Sequence, residues 1–289
     1  MQKGMMMARS HMLVLAAVVL VAGCNQAPEQ KGPEQKGNVA AANQVQAAGG
    51  PAQPANAAAP IAAKPQKIES KLDGFEFSYA WPEQAAAIPE LNAWLRANAD
   101  KLRWDNQKLA QEDKASAKKD GYPYNDHMYS EEWDVIADTP RFLVMQSDGY
   151  VYTGGAHGMP VQTGLIWDKQ AKKRLPMNAL VDIAALSRLA KPQFCAELDR
   201  QRVEKRGEPV PQGSGIGGID EFYSCIDMGK QLLLPWSDKG RSLDSIRVVI
   251  GPYEAGPYAE GSYVIDLKMT NALMAAVKPA YRSDFTGTP

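Results

Sequence analysis

From Phe75 to Trp81 every second residue is aromatic, and this period-two alternation predicts a strand with one buried face, ended by Pro82. Beyond Pro89, a good first-turn residue, Leu91, Leu95, Leu102 and Leu109 recur at spacings of four and seven. That predicts a long amphipathic helix, closed by Gly121 at the latest. A loop through Tyr122-Pro123-Tyr124 and a strand over Trp133–Ala137 follow. Phe142–Gln146 and Tyr150–Thr153 read as two further strands, with Asp148-Gly149 between them as a hairpin signal. The second of these ends where β-formers give way to Gly154-Gly155, which places His157 at a strand end.

Gln162–Trp167 is the next expected strand, and Asp168–Lys173 a solvated turn. A second helix starts at an Asp182 cap and carries Leu186, Leu189, Phe194 and Leu198 on one side, with Pro192 as a breaking point. Gly207–Ile219 has loop composition. Leu232–Leu234, Arg247–Ile250 and Ser262–Leu267 supply late strands, and Leu273–Val277 a short final helix. Strands and helices mix without a βαβ rhythm. The expected class is therefore α+β, with mostly antiparallel sheets packed against a long N-terminal helix and a second helix in the C-terminal half.

The N-terminus adds a location. Lys3 and Arg9 precede a charge-free apolar run, Met12–Val21, that is short for a membrane span and reads as a secretion signal over residues 1–23. Val21-Ala22-Gly23-Cys24 looks like a bacterial lipobox, with Cys24 as the lipidated, palmitate-type anchor. The alternative is an uncleaved apolar anchor. Residues 24–67 are rich in Ala, Gln and Pro and include the tandem pentapeptide Pro-Glu-Gln-Lys-Gly. They read as a disordered tether, with a reach of roughly 35 Å as a flexible coil. Asn25 after the cysteine fits sorting to an outer membrane, facing the periplasm. Loss of residues 1–23 removes Lys3, Arg9 and no acid, moving the net charge from −1 to −3. No basic field recommends nucleic acid as a partner.

After Cys24 only Cys195 and Cys225 remain, and in an exported chain such a pair reads as a disulfide. The competing reading is a thiol nucleophile with His157 as its base. His157 itself has three readings: a backbone hydrogen bond that fixes the turn, a ligand contact, or metal or acid-base work. No His-x-x-x-His or comparable ligand spacing occurs, so neither a metal nor a cofactor is expected. Gly213–Gly218 satisfies G-x-G-x-x-G, but a polar, proline-bearing loop precedes it, so it reads as a loop and not a dinucleotide site. Tyr253–Gly261 couples two tyrosines and two glutamates to glycines and a proline. It suits a carbohydrate- or protein-binding loop; the alternatives are core tyrosines, or a carboxylate pair for glycoside hydrolysis.

Three stretches carry a family resemblance: Tyr152-Thr153-Gly154-Gly155-Ala156-His157; Ile166-Trp167-Asp168 with the basic turn and Leu175; and Pro257-Tyr258-Ala259-Glu260-Gly261 leading into Ser262–Ile265. They resemble the extracytoplasmic domain pair of the anti-sigma factor RsiV and of the non-catalytic part of the peptidoglycan deacetylase PdaC. The likeness spans roughly Gly74 to Phe285. It implies an N-terminal PdaC-like domain at 68–160 and a C-terminal RsiV-like domain at 161–289, together one body with a binding or sensing role. For some members it also implies lysozyme recognition. The candidate binding or motif residues are then Tyr152, Thr153, Gly154, Gly155, His157, Asp168, Tyr258 and Glu260. The expected function is a lipid-anchored, non-enzymatic envelope module for wall glycan or a lysozyme-like protein. The alternative is a peptidoglycan- or polysaccharide-acting hydrolase using His157 with Glu260 or Asp168.

Overall fold

The computed structural model describes residues 63–210, 220–237 and 239–289, all within one compact unit, Ala59–Pro289. The secretion signal, Cys24, the tether as far as residue 62 and the Gly213–Gly218 segment lie outside the described residues.

The aromatic alternation forms strand β2, Phe75–Trp81, whose odd-numbered residues are all buried. It pairs antiparallel with β1, Gln66–Leu72, a strand at the end of the segment read as tether. After the one-turn helix α1, Glu83–Ala86, comes α2, Pro89–Asp120, with Pro at its start and Gly121 (φ 76°) as a left-handed cap. The helix returns the chain so that β3, His127–Asp138, pairs parallel with β2. Its buried line is Leu91, Leu95, Ala99, Ala110 and Ala117. Leu102 is half-buried and Leu109 exposed, because small alanines, not leucines, let the later turns approach the sheet.

Strands β4, Phe142–Tyr152, and β5, Met159–Asp168, continue the sheet antiparallel, and β6, Lys173–Leu175, completes it in the order β1-β2-β3-β4-β5-β6. The hairpin expected at Asp148-Gly149 does not exist: both residues sit inside β4, facing β3 on one side and β5 on the other. Glycine is needed there for closeness, since a Cβ on Gly149 would run into the Ser130 carbonyl oxygen. The reversal lies later, at Thr153–Gly158, so the glycine-histidine segment is itself the β4–β5 turn. A border between residues 160 and 161 falls within β5, which pairs with β4 along its whole length.

Helix α3, Met177–Leu180, leads to α4, Ile183–Arg206, where the Asp182 carboxylate accepts from the Ala185 N–H at 2.9 Å. Pro192 lies within the helix and does not divide it. The buried line is Leu186, Ala190, Phe194, Leu198 and Arg202, one residue per turn, and Leu189 is exposed. Strands β7, Leu232–Trp236, β8, Ser245–Ile250, and β9, Tyr263–Lys268, form a second, antiparallel sheet. The expected final helix is a 3₁₀ turn, Leu273–Ala276. The class is α+β with mostly antiparallel sheets, as the sequence implied.

Two cores result. Leu143 and Met145 of β4 join the aromatic residues of β2 under α2; Phe142 and Val144 point the other way, into the core made with α4 and β7–β9. Cys195 and Cys225 are bonded, Cα atoms 5.4 Å apart, tying α4 to the segment before β7. This sets aside the thiol-nucleophile reading. Gly149→Ala should destabilise the protein by about 1–3 kcal/mol through the clash at Ser130, measured by urea unfolding; a neutral result would contradict the central placement of Gly149.

Candidate functional site

The β4–β5 turn is built from its glycines outward. Gly154 adopts φ 84°, and its carbonyl accepts from Asn125 Nδ2 at 3.0 Å. A Cβ on Gly158 would strike the Tyr150 ring, so only glycine lets its N–H reach the Tyr150 hydroxyl, at 2.9 Å. The Gly158 carbonyl then accepts from Tyr258 Oη at 2.8 Å and lies 3.0 Å from His157 Nδ1. A carbonyl only accepts, so His157 carries a proton on Nδ1, which leaves Nε2 without that duty. His157 and Tyr258 stack with ring centres 4.1 Å apart, and Tyr253 lies 5.7 Å from Tyr258. Two segments a hundred residues apart in sequence thus meet as three rings at the surface. Tyr253 is half exposed and holds φ 69°, an uncommon conformation for a bulky side chain.

Helix α4 holds the tyrosine loop from beneath. Arg202 is fully buried: its Nε donates to the Ala255 carbonyl at 3.1 Å, Nη1 to Ser224 O and Asp199, and Nη2 to Glu221 O. One turn on, Arg206 grips Glu260 at 2.8 and 3.2 Å, and Tyr263 Oη donates to the same carboxylate. Burial acts to raise the Glu260 carboxyl, but the Arg206 and Tyr263 hydrogen bonds and the charges of Arg206 and Lys205 prevail and hold it low. Burial, with the bond to Glu260, pushes the Tyr263 phenol up to about 12. Lys205 Nζ caps the carbonyls of Glu260 and Ser262 at 2.6 Å each. Arg202 takes the next position of the apolar stripe after Leu198, and that break in the pattern was its signal in the sequence.

Asp168 lies elsewhere. It ends β5, nine residues from Met159, hence about 30 Å along the strand from the turn that carries His157. Arg141 binds it at 3.1 and 3.2 Å, and the N–H groups of Gln170 and Ala171 at 2.9 Å. Burial opposes ionisation, yet these bonds hold its carboxyl low. Tyr152 is half-buried on β4 and Thr153 is exposed in the turn. His157, Tyr258 and Glu260 therefore share a region and Asp168 does not. Both carboxylates of the hydrolase reading are committed to arginines. Among the described residues no group of three His, Cys, Asp or Glu could hold a metal ion.

Beneath the turn, His127 is buried, with Nε2 3.3 Å from Asp113 Oδ2 and the Tyr124 ring alongside. Burial lowers its pKa below 6.5 despite the nearby Asp113 and Asp126.

The chain is similar in part to known proteins. Residues 68–160 match the family model described as "Deacetylase PdaC", and the Tyr152–His157 motif of the likeness lies within them. Two crystal structures of DUF3298 family proteins are similar to the chain over greater length. One, from Pseudomonas aeruginosa PAO1, shares 12% identity, with coverage of 76% of this chain and 96% of that one and a TM-score of 0.43. The other, from Bacteroides fragilis NCTC 9343, shares 16%, with coverage of 78% and 98% and a TM-score of 0.47. No curated protein matches the chain.

The pKa directions fix an acid response. His127, Glu260 and Asp168 all have folded pKa values below their ordinary ones of 6.5, 4.5 and 3.8, so the unfolded chain binds protons first as pH falls. Their contributions are complete above those values and lost below them. Thermal melts should show Tm falling from pH 6.5 downward, then more steeply below 4.5. His127→Gln should flatten the first step and keep the second; an unchanged first step would refute the assignment. Arg206→Met, which strands a largely buried Glu260, should cost about 3 kcal/mol in urea unfolding at pH 7.

Proposed function

We propose that the protein is a lipid-anchored component of the bacterial envelope whose body binds a partner and does not transform it. One observation carries this reading: the turn Thr153–Gly158 and the loop Tyr253–Gly261 converge as a cluster of three rings at the surface, while the nearby Glu260 is neutralised by Arg206. Rigid rings offer contact area at low entropic cost, and their faces suit a sugar ring or an apolar protein side chain equally. The strained Tyr253 supports the same reading, since backbone strain collects at sites of use. Location rests on the lipobox at Cys24 and the tether, which would let the body sample the space between an outer membrane and the wall. The partner is then wall glycan or a lysozyme-like protein, with no cofactor.

The test uses the full chain, purified in detergent. It should be retained by insoluble peptidoglycan or by an immobilised muramidase, and Tyr253→Ala and His157→Ala should each weaken retention about tenfold while leaving Tm within a few degrees. Release of wall fragments or acetate, lost on His157→Ala, would replace the binding reading with the hydrolase one.

A further inference from the structure

A second surface lies on the β1–β2–β3–β4 face opposite α2. Strand register fixes what it displays. Lys67, Ala80, Glu132, Asp148 and Gln162 form one row across the sheet, and Glu69, Ser78, Ser130 and Tyr150 the next. Ser78, Ala80 and Ser130 are short, so the parallel β2–β3 pair forms the floor of a trough. Three cavities of about 370, 210 and 350 Å³ lie end to end along it: the first two share Ser78 and Ser130, the last two Lys67, Ala80 and Glu132. The trough follows β2 from Glu76 to Pro82, about 20 Å.

Two features of this face are unusual. Parallel strands are ordinarily covered on both sides, yet β2–β3 is covered by α2 on one side only. Glu132 and Asp148 stand directly opposite each other on neighbouring strands, a like-charge arrangement that destabilises a sheet. Both are exposed, and among the described residues neither forms an ion pair, Asp148 accepting only from Gln162 Nε2 at 2.9 Å. The lysines of the β1 wall are taken: Lys67 pairs with Glu69, and Lys71 with Glu76. Lys67 also acts on Glu132 through space, but Lys67 and Lys71 face Glu69, Glu76, Glu132 and Asp148, so the trough keeps an excess of negative charge at its middle.

We propose that this trough docks an extended, lysine-bearing peptide segment of a partner, with an ammonium group between Glu132 and Asp148 and the backbone lying over Ser78, Ala80 and Ser130. Charge complementarity selects the occupant: a cation converts the cross-strand repulsion into two charge-assisted contacts, and the low floor accommodates a chain running along the strands. This surface does not depend on the aromatic cluster and stands or falls separately.

The experiment measures binding of a fluorescent alternating Ala-Lys hexapeptide to the full chain at 50 mM and 300 mM salt (roughly, to bracket screening). Its Nε-acetylated twin and a glucosamine oligomer serve as competitors. The peptide should bind, more weakly at the higher salt, and acetylation should weaken it at least about tenfold. E132Q/D148N should weaken it to the same extent while Tm holds or rises, because the repulsion is removed. E83Q/E112Q, which removes equal charge from exposed sites elsewhere, should leave binding unchanged. Absence of peptide binding, equal loss in E83Q/E112Q, a lower Tm in E132Q/D148N, or binding of the glucosamine oligomer in place of the peptide would each overturn the proposal.

Discussion

The first half of strand β4, Phe142–Ser147, has no free side, and the rest of the body depends on that. It hydrogen-bonds to β3 along one edge and β5 along the other, while Leu143 and Met145 enter one core and Phe142 and Val144 the opposite one. A strand buried on every side over six residues tolerates no slip, because a shift of one residue would exchange the two sets of side chains between cores. Its end is fixed accordingly, and with it the place where Gly154 and His157 emerge. The surface turn inherits its precision from a strand whose other end is wholly enclosed.

The opposing loop obtains its position in a different way, through cations. Arg202 and Arg206 rise from successive turns of α4 and bind loop carbonyls and Glu260, and the Cys195–Cys225 bond ties the same helix to the segment that supplies Ser224 and Glu221. A loop with few apolar side chains cannot be held by burial, so charge-assisted hydrogen bonds from a rigid helix take over. Glu260 belongs to this scaffold. Its carboxyl is held low by Arg206, Tyr263 and Lys205, and those partners disfavour it as a proton donor.

Much of the fold was legible where side chains repeat with a period: the β2 aromatics, the Asp182 cap, the stripe through Leu186, Phe194 and Leu198, and the cysteine pair. The failures share a cause, which is that a local signal yields to a tertiary neighbour. Asp148-Gly149 has turn composition, but β3 lies so near that glycine is required inside the strand. Leu109 and Leu189 keep the helical period yet face solvent, because nothing packs over those turns. Strand β1, polar and edge-placed, has no apolar alternation by which to be found. For the site, the motifs gave His157, Tyr258 and Glu260, but not that an arginine two turns past Cys195 would bind the loop, since the partners of Arg202 are mostly backbone carbonyls and carry no side-chain signature.

Turn and loop meet through the His157–Tyr258 stack and at the Gly158 carbonyl oxygen, which accepts from Tyr258 and lies against His157 Nδ1. Gly158 occupies that position because any side chain would displace Tyr150, whose hydroxyl receives the Gly158 N–H. One residue without a side chain therefore joins a strand of the six-stranded sheet to a loop held by the far helix. The two motif peptides are complementary through this contact. A Tyr-x-Gly-Gly-Ala-His turn without the proline-tyrosine loop would leave its carbonyl and its ring unmatched, and the loop without the turn would leave Tyr258 with no acceptor. The two short sequences are parts of one object, and what unites them is geometry at the surface.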